Sequence, residues 1–285
     1  ELLALLVILG ISSAACWDFV QDTSYRRAFE HTSGEFPGQR VQIDSAPISA
    51  LVADLSDGTA ATIVRSEHSA YALSSDSLDL TKMMGLDASC ALCGSQDATD
   101  PPSLLSACNG SISLIKCSAS GSNIHCTSVS SARAPWTGDS SGCAFVPELS
   151  SWAVGTPRGL LWLAKDLSTA LWDANITNPI TILTYGHASG VQPAFDVMVA
   201  TEAALFMLNA SAASSVTNGA LPWKHTFPPG LIDGEVTSLA LDGLGSWWVG
   251  TNTAAIDILG PDKAWTRVGA LQGLPVGNIT SLARG

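Results

Sequence analysis

The segment Ser246-Trp247-Trp248-Val249-Gly250-Thr251 repeats Ser151-Trp152-Ala153-Val154-Gly155-Thr156 almost letter for letter. A second pair of segments, Val236-Thr237-Ser238-Leu239-Ala240 and Ile279-Thr280-Ser281-Leu282-Ala283, lies 43 residues apart. An internal period of this kind is typical of repeat proteins, in which each copy is one supersecondary unit that buries its apolar face against the next. The chain is therefore an array of copies.

Weaker copies continue the array in phase with these two. The Val of Val-Gly-Thr stands at 154 and 249, and the segment 197–201 supplies a corresponding marker at 199. The segments 62–66 and 105–110 supply earlier markers at 64 and about 107. The mean spacing is about 46 residues, within the 40–50 residues that are typical of four-stranded propeller blades.

The last copy predicts four short strands, at 236–240, 247–251, 254–259 and 264–268, with a turn at 242–245. No long 3.6-residue periodicity follows the N-terminal segment, which argues against a helical solenoid. We therefore predict an all-β fold: a β-propeller of four-stranded blades over residues 16–285, with about five to six blades visible.

The same residues carry a family resemblance. The strings 236–242, Trp248-Val249-Gly250-Thr251 and 278–283 resemble the two-component-regulator propeller repeat, closely over 232–285 and more loosely over 143–167. The resemblance implies a β-propeller that senses or binds. It implies no catalytic, cofactor-binding or metal-binding residue, because the repeat signature consists of core and turn positions.

Composition excludes one class of partner. Hydrophobic residues make up 46% of the chain and charged residues 13%, and the net charge is −12. Basic residues are scattered, with no cluster beyond Arg26-Arg27. Nucleic-acid binding needs a basic stripe that neutralises phosphates, so we expect no nucleic-acid partner.

The N-terminus indicates the compartment. Residues 2–11 form an apolar run that small residues follow up to Cys16, a pattern typical of a secretory signal peptide over 1–15 that lacks its Met. The alternative is a buried strand or helix at the start of the fold. The run is shorter than the roughly 20 residues of a membrane span, so we expect no span in this segment.

Four N-glycosylation acceptors also favour export: Asn109, Asn175, Asn209 and Asn278. Each triplet alone is common by chance, but four together with a leader are typical of a secreted or cell-surface glycoprotein.

Six cysteines cluster within residues 90–143: Cys90, Cys93, Cys108, Cys117, Cys126 and Cys143. In an oxidising compartment they predict about three disulfides with 15 possible connectivities, within a disulfide-rich blade. The alternative is a zinc site from Cys90 and Cys93 with Cys117 and either Cys126 or His125. The spacing of the second pair favours disulfides.

Tryptophans at repeat positions are expected in the core, where large rings fill the space between sheets. Three others, Trp136, Trp172 and Trp223, stand in less regular segments and are candidate partner contacts. The long insertions at 74–104 and 209–235 are candidate binding loops.

Residues 279–283 begin another blade. We expect sequence beyond residue 285 to complete the ring, and the alternative is closure onto a sheet that residues 17–43 begin.

These observations favour a non-catalytic extracellular propeller that binds other proteins or copies of itself in a cell-surface or filament assembly, and that carries N-linked glycans. One alternative is the ligand-sensing ectodomain of a membrane receptor. A second is a secreted carbohydrate-active enzyme, which predicts two or three carboxylates at the mouth of the propeller channel.

Overall fold

The computed structural model describes residues 47–54, 60–66, 69–74, 80–87, 89–94, 104–120, 123–186, 195–202, 204–213, 216, 220–226, 235–253, 255–274, 279 and 282. Contacts divide the described residues into two compact units, one within Asp18–Ser140 and one within Ser141–Gly285, which we call the N-terminal unit and the C-terminal unit. Both are built from β-strands, so the prediction of an all-β fold is confirmed. Residues 1–15, where the sequence predicts a signal peptide, lie outside the described part of the chain.

The N-terminal unit contains an eight-stranded sheet. Its strands are β1 Pro47–Asp54, β2 Ala60–Ser66, β3 Ala70–Ser74, β4 Leu80–Met84, β5 Ala91–Gly94, β6 Leu104–Cys108, β7 Ser111–Ser120 and β8 Asn123–Arg133. Strands β1 to β4 form one antiparallel meander, and β5 to β8 form a second.

The two meanders join through their last strands. Strands β4 and β8 pair in parallel, Met83 with Ile124 and Met84 with His125, which gives the order β1-β2-β3-β4-β8-β7-β6-β5. The repeat predicts separate blades, and the continuous sheet differs from that expectation. Strands β4 and β8 each have one edge that pairs with no strand of their own meander. Pairing these two edges gives hydrogen-bond partners to backbone groups that would otherwise lack them.

The C-terminal unit contains three separate four-stranded antiparallel sheets. The first has β9 Gly142–Val146, β10 Ser151–Thr156, β11 Gly159–Ala164 and β12 Ala170–Trp172; the second has β13 Ile180–Tyr185, β14 Val197–Thr201, β15 Leu205–Leu208 and β16 Lys224–Thr226; the third has β17 Val236–Leu241, β18 Trp247–Thr251, β19 Ile256–Leu259 and β20 Trp265–Val268. Each is a meander of the kind that forms a propeller blade.

Short 3₁₀ helices lie in three connections of this unit: η1 Pro147–Leu149, η2 Ala210–Ala212 and η3 Ala270–Gln272. Within the described ranges, no helix has both the length and the apolarity that crossing a bilayer requires.

Every repeat marker lies in the second strand of a meander. The markers are Val64 in β2, Ala107 in β6, Val154 in β10, Val199 in β14 and Val249 in β18. The second strand is paired on both sides, and every residue of β10 and β14 is buried. The repeat is therefore strongest where close packing restricts the side chain most.

The threonine that ends the repeat closes a turn in all three sheets of the C-terminal unit. Its hydroxyl donates to a backbone carbonyl at the start of the third strand of the sheet. The bonds are Thr156 to Gly159 at 2.7 Å, Thr201 to Ala204 at 3.3 Å and Thr251 to Ala255 at 3.0 Å. All three side chains are buried. A buried hydroxyl needs such a partner, which explains why the repeat has Thr at this position.

The glycine of the repeat lies where the next sheet approaches. A Cβ on Gly155 would stand 2.8 Å from Ile180 Cγ2, and a Cβ on Gly250 would stand 2.6 Å from Ile279 Cγ2. The Ile279 amide also donates to the Thr251 carbonyl at 3.1 Å. Ile279 thus contacts the third sheet as Ile180 contacts the first, so the glycine is a packing requirement between successive sheets.

Two apolar clusters hold the three sheets together. The first contains Trp162 and Val199 from the first and second sheets, and the other contains Met198 and Trp247 from the second and third sheets. Of the five tryptophans at repeat positions, Trp152, Trp162 and Trp247 are at most 2% exposed, as expected for core residues, whereas Trp248 and Trp265 are only partly buried.

Candidate functional site

One end of the C-terminal unit gathers connections from all three sheets, and we call it the loop face. It comprises the described residues of six connections: 147–150, 165–169, 186 with 195–196, 209–213 with 216 and 220–223, 242–246, and 260–264. Antiparallel pairing places these connections at one end of each sheet. The Trp247 indole Nε1 donates to the Phe195 carbonyl at 2.8 Å, and this hydrogen bond links the third sheet to the second at this end.

Tyr185 and Glu148 form a hydrogen-bonded pair on the loop face. Tyr185 ends β13 and Glu148 lies in η1, and the phenol Oη donates to Glu148 Oε1 at 3.0 Å. Burial raises the pKa of Tyr185, and the negative charge of Glu148 raises it further. Tyr185 therefore stays a neutral phenol that donates to an exposed carboxylate.

Asp196 holds η2 against the start of β14. Its Oδ2 accepts from the Ala210 amide at 2.9 Å and from the amide and hydroxyl of Ser211 at 3.3 and 3.4 Å. Burial raises the pKa of Asp196, hydrogen bonds from Ser211 oppose that rise, and the charge of Glu148 supports it. Two carboxylates thus flank Tyr185, but Asp196 is only 3% exposed, so Glu148 is the one that reaches solvent.

A buried ring on the loop face has two ammonium groups near it. Lys224 Nζ lies 5.6 Å and Lys263 Nζ 6.0 Å from the centroid of Phe195, which is 3% exposed. The lysines come from different sheets, at the start of β16 and in the β19–β20 turn. Each contact is worth about 0.5–1 kcal/mol and restrains a flexible side chain. In a chain of net charge −12, the loop face therefore has a local positive site.

An exposed apolar side chain stands at the tip of the β17–β18 turn. Leu244 is 73% exposed. Asp242 fixes the turn, because its Oδ1 accepts from the Leu244 and Ser246 amides at 2.8 Å each and its Oδ2 accepts from Trp248 Nε1 at 3.0 Å. Burial alone would raise the pKa of Asp242, but the bonds from Trp248, Ser246 and Leu244 lower it overall. An ionised, fully bonded aspartate therefore holds Leu244 in solvent.

The three predicted contact tryptophans have different surroundings. Trp172 lies half-buried on the outermost strand β12, with the Arg158 guanidinium 5.0 Å from its ring and Leu171 39% exposed beside it. Trp136 is 4% exposed, and its Nε1 has no hydrogen-bond partner among the described residues.

Trp223 packs against the first apolar cluster of the C-terminal unit. Its Nε1 donates to Asp173 Oδ2 at 2.7 Å, and Trp162 Nε1 donates to the same oxygen at 3.0 Å. Asp173 is 2% exposed and its Oδ1 accepts from the Asn175 amide at 2.9 Å. Trp223 therefore helps to join the connection between β15 and β16 to the first sheet. The insertion that the sequence predicts at 209–235 is not a single loop, because β16 lies within it.

Three of the four predicted glycosylation asparagines are described. Asn109 is exposed in the β6–β7 turn, and its Oδ1 accepts from the Gly138 amide at 3.1 Å. Asn209 caps η2 through Oδ1, which accepts from the Ala212 amide at 2.9 Å. Asn175 instead donates its Nδ2, the atom that would carry a glycan, to the Leu221 carbonyl at 3.1 Å. Asn278 lies outside the described residues.

All six clustered cysteines form disulfides, which confirms the prediction of disulfide bonding. Cys90 pairs with Cys108, and Cys117 pairs with Cys126 directly across the β7–β8 hairpin. Cys93 and Cys143 are also disulfide-bonded. A disulfide sulfur offers no thiolate to a metal, so the alternative zinc site through Cys90, Cys93 and Cys117 does not form in this oxidised state.

The sequence did not single out the residues that meet on the loop face: Glu148, Tyr185, Phe195, Lys224 and Lys263. They come from separate connections and share no motif or spacing. Each stands within two residues of a strand end, and that position is the one signal that could have found them.

No protein-family model and no curated protein matches the chain. Solved structures do resemble it. The crystal structure of BBS1N in complex with ARL6DN, soaked with mercury, has a TM-score of 0.53 and 14% identity, over 79% of this chain and 67% of that chain. The lead-soaked crystal gives 0.53 and 14%, over 80% and 69%.

The crystal structure of Sqt1 from Chaetomium thermophilum has a TM-score of 0.47 and 15% identity, over 81% of this chain and 59% of that chain. BBS1 and Sqt1 are β-propeller proteins. The similarity to BBS1N supports the propeller fold that the repeat predicts.

Proposed function

We propose that this chain is a non-catalytic β-propeller module that binds another protein through the loop face. The observation that carries the proposal is Leu244, a 73% exposed leucine on a turn that Asp242 fixes. An apolar side chain held in water gains free energy when a partner covers it, by about 25 cal/mol per Å² of apolar surface.

The neighbouring side chains on the loop face are suited to binding. The Tyr185–Glu148 bond and the contacts of Lys224 and Lys263 with Phe195 restrain side chains that are usually mobile. Side chains that are already ordered lose less entropy when a partner binds. Charges of both signs elsewhere on the loop face, on Glu148, Lys224 and Lys263, would add specificity and speed association.

The fold supports the same proposal. BBS1N, which this chain resembles, was crystallised in complex with ARL6DN. Loops on a rigid β scaffold are common binding surfaces, and the loop face consists of such loops.

We place the module outside the cell, where it would assemble with another protein or with copies of itself. Disulfides among six cysteines are typical of oxidising compartments. Asn109, exposed in a hairpin turn, is the asparagine we expect to carry an N-linked glycan.

A site-specific photo-cross-linker tests the binding surface. The label is placed at position 244 in one sample and at 271 in the other, because Leu271 is 98% exposed at the opposite end of the same sheet. The bait is added to the secreted fraction of the source cells. We expect a partner, or a second copy of the chain, to cross-link at 244 and not at 271.

Competition makes the result specific. Excess unlabelled wild-type protein should abolish the cross-link, and excess Lys224→Glu/Lys263→Glu protein should compete at least tenfold less well. Equal cross-linking at both positions, or none at 244, would refute the proposed surface.

Mass spectrometry tests the compartment separately. The intact mass of the native protein, measured before and after removal of N-glycans, should fall by the mass of one or more glycans, and Asn109→Gln should remove one of them. Native protein that is unglycosylated and fully reduced would contradict the extracellular assignment and leave the loop-face proposal standing.

A further inference from the structure

A second cluster, in the N-terminal unit, is independent of the loop face. Asp87, Cys90 and Cys108 each offer one ligand atom, and these atoms all lie within 4.8 Å of one another. In the structure Cys90 and Cys108 share a disulfide. We propose that reduction of this disulfide turns the cluster into a Zn²⁺ site with two thiolates, the Asp87 carboxylate and one water as ligands.

Local backbone structure brings the three residues together. The Cys90 amide donates to the Asp87 carbonyl at 3.3 Å, so a tight turn places the two side by side. Asp87 Oδ1 accepts from the amide and hydroxyl of Ser89 at 3.0 and 2.7 Å, and among the described residues none donates to Oδ2. Antiparallel pairing of β5 with β6 brings Cys108 opposite the start of β5, next to Cys90. One carboxylate oxygen therefore remains for a metal.

The donor set suits zinc. Thiolates and carboxylates are ordinary Zn²⁺ ligands, and three protein ligands with one water is a common open coordination. Cys90 is 1% exposed, Cys108 is half-buried and Asp87 is exposed. An ion can thus enter from the Asp87 side, where water would complete the coordination.

A nearby cation can balance the net charge of the proposed zinc complex. Zn²⁺ with two thiolates and one carboxylate has a net charge of −1. The guanidinium of Arg65 donates through Nη1 to the Cys90 carbonyl, and in the described part of the chain nothing accepts a hydrogen bond from its buried Nε. A cation that is held beside Cys90 would offset the charge of the complex.

The chemistry requires a reductant. A dithiol supplies two electrons and two protons and is itself oxidised to a disulfide, while the Cys90–Cys108 S–S bond breaks and both cysteines become thiols. Zn²⁺ then forms two Zn–S bonds and releases the two thiol protons. The oxidised protein offers only Asp87 and should not bind.

Cobalt titration tests the site, because Co²⁺ occupies zinc sites and shows a sulfur-to-cobalt charge-transfer band when thiolates bind it. The full chain is reduced with a phosphine, which is then removed under argon, and Co²⁺ is added. We expect one Co²⁺ per chain with the charge-transfer band, displaced by Zn²⁺. Oxidised protein should show no band.

Matched variants locate the ligands. Reduced Cys117→Ala/Cys126→Ala protein should keep the band, and reduced Cys90→Ala/Cys108→Ala protein should lose it. Asp87→Asn should raise the Kd for Co²⁺ about tenfold or more. Asp139→Asn, an exposed aspartate of the same unit, should leave the Kd unchanged.

Cysteine alkylation tests the same ligands and remains informative when reduction destabilises the fold. Reduced protein with and without Zn²⁺ is treated with iodoacetamide, and each cysteine is quantified by peptide mass spectrometry. Zn²⁺ should protect Cys90 and Cys108 at least tenfold more than Cys117 and Cys126. Equal protection of all cysteines, no protection, or a cobalt band that survives in Cys90→Ala/Cys108→Ala protein would overturn the proposal.

Discussion

Replacing Gly155 by Ala should destabilise the C-terminal unit through one clash. The added Cβ would stand 2.8 Å from Ile180 Cγ2, 3.1 Å from Ile180 Cβ and 2.6 Å from Ser141 Oγ. Ser141 can rotate, but Ile180 is 4% exposed within the first apolar cluster and cannot move away. Overpacking of this size costs about 1–3 kcal/mol. The loss of backbone freedom in the unfolded chain offsets about 0.4–1 kcal/mol of that cost.

The free energy of unfolding should therefore fall by about 1–2 kcal/mol. The measurement is urea denaturation followed by tryptophan fluorescence, with the thermal midpoint as a second reading. Gly142→Ala is the matched control, since Gly142 pairs with Gly155 across β9 and β10. The nearest atom to its added Cβ is the Leu183 carbonyl oxygen at 3.8 Å, an ordinary contact. The control should be as stable as the wild type or slightly more stable.

A double-mutant cycle isolates the cause. If Ile180 is the obstacle, Gly155→Ala should cost at least 1 kcal/mol less in an Ile180→Ala background, because contacting residues are not additive. An equal cost in both backgrounds, or a Gly155→Ala protein as stable as its Gly142→Ala control, would refute the packing explanation.

Two carboxylates give further predictions. Asp173→Ala removes the acceptor of two indole N–H groups and should lower the free energy of unfolding by about 2–4 kcal/mol. Trp223→Phe removes one of these hydrogen bonds and should lower it by about 1 kcal/mol. Equal losses for the two variants in urea titrations would contradict this prediction. Asp242 has a lowered pKa, so its ionised form stabilises the fold above the ordinary aspartate pKa of about 4, and that stabilisation is lost as the pH falls below it. Asp242→Asn should be less stable than the wild type at pH 7, and the difference should shrink at pH 3; an unchanged difference in the urea midpoint would count against the assignment.

Much of the fold could be predicted because the repeat residues are the buried ones. Val154, Val199 and Val249 each lie in a fully paired second strand, where packing restricts the choice of side chain and leaves a readable period. The four strands of the last copy, predicted at 236–240, 247–251, 254–259 and 264–268, correspond to β17, β18, β19 and β20. Local pattern and tertiary packing agree at these positions.

The cysteine pairing could not be predicted in the same way. Six cysteines allow 15 connectivities, and a sequence does not show which strands are neighbours. The register of β7 and β8 sets Cys117 opposite Cys126, and the turn from Asp87 sets Cys90 beside Cys108. The parallel pairing of β4 with β8 was unpredicted for a similar reason, because a strand edge has no side-chain signature.

The sequence by itself determined the all-β class, the phase of the repeat and the tryptophan, glycine and threonine positions that the two strongest copies share. It could do so because one local environment recurs along the chain and selects the same residues each time. Only the tertiary structure decided which single residues meet on the loop face and which cysteines pair. Tyr185 reaches Glu148 across 37 positions of chain, and no local period records a contact that occurs once between separate sheets.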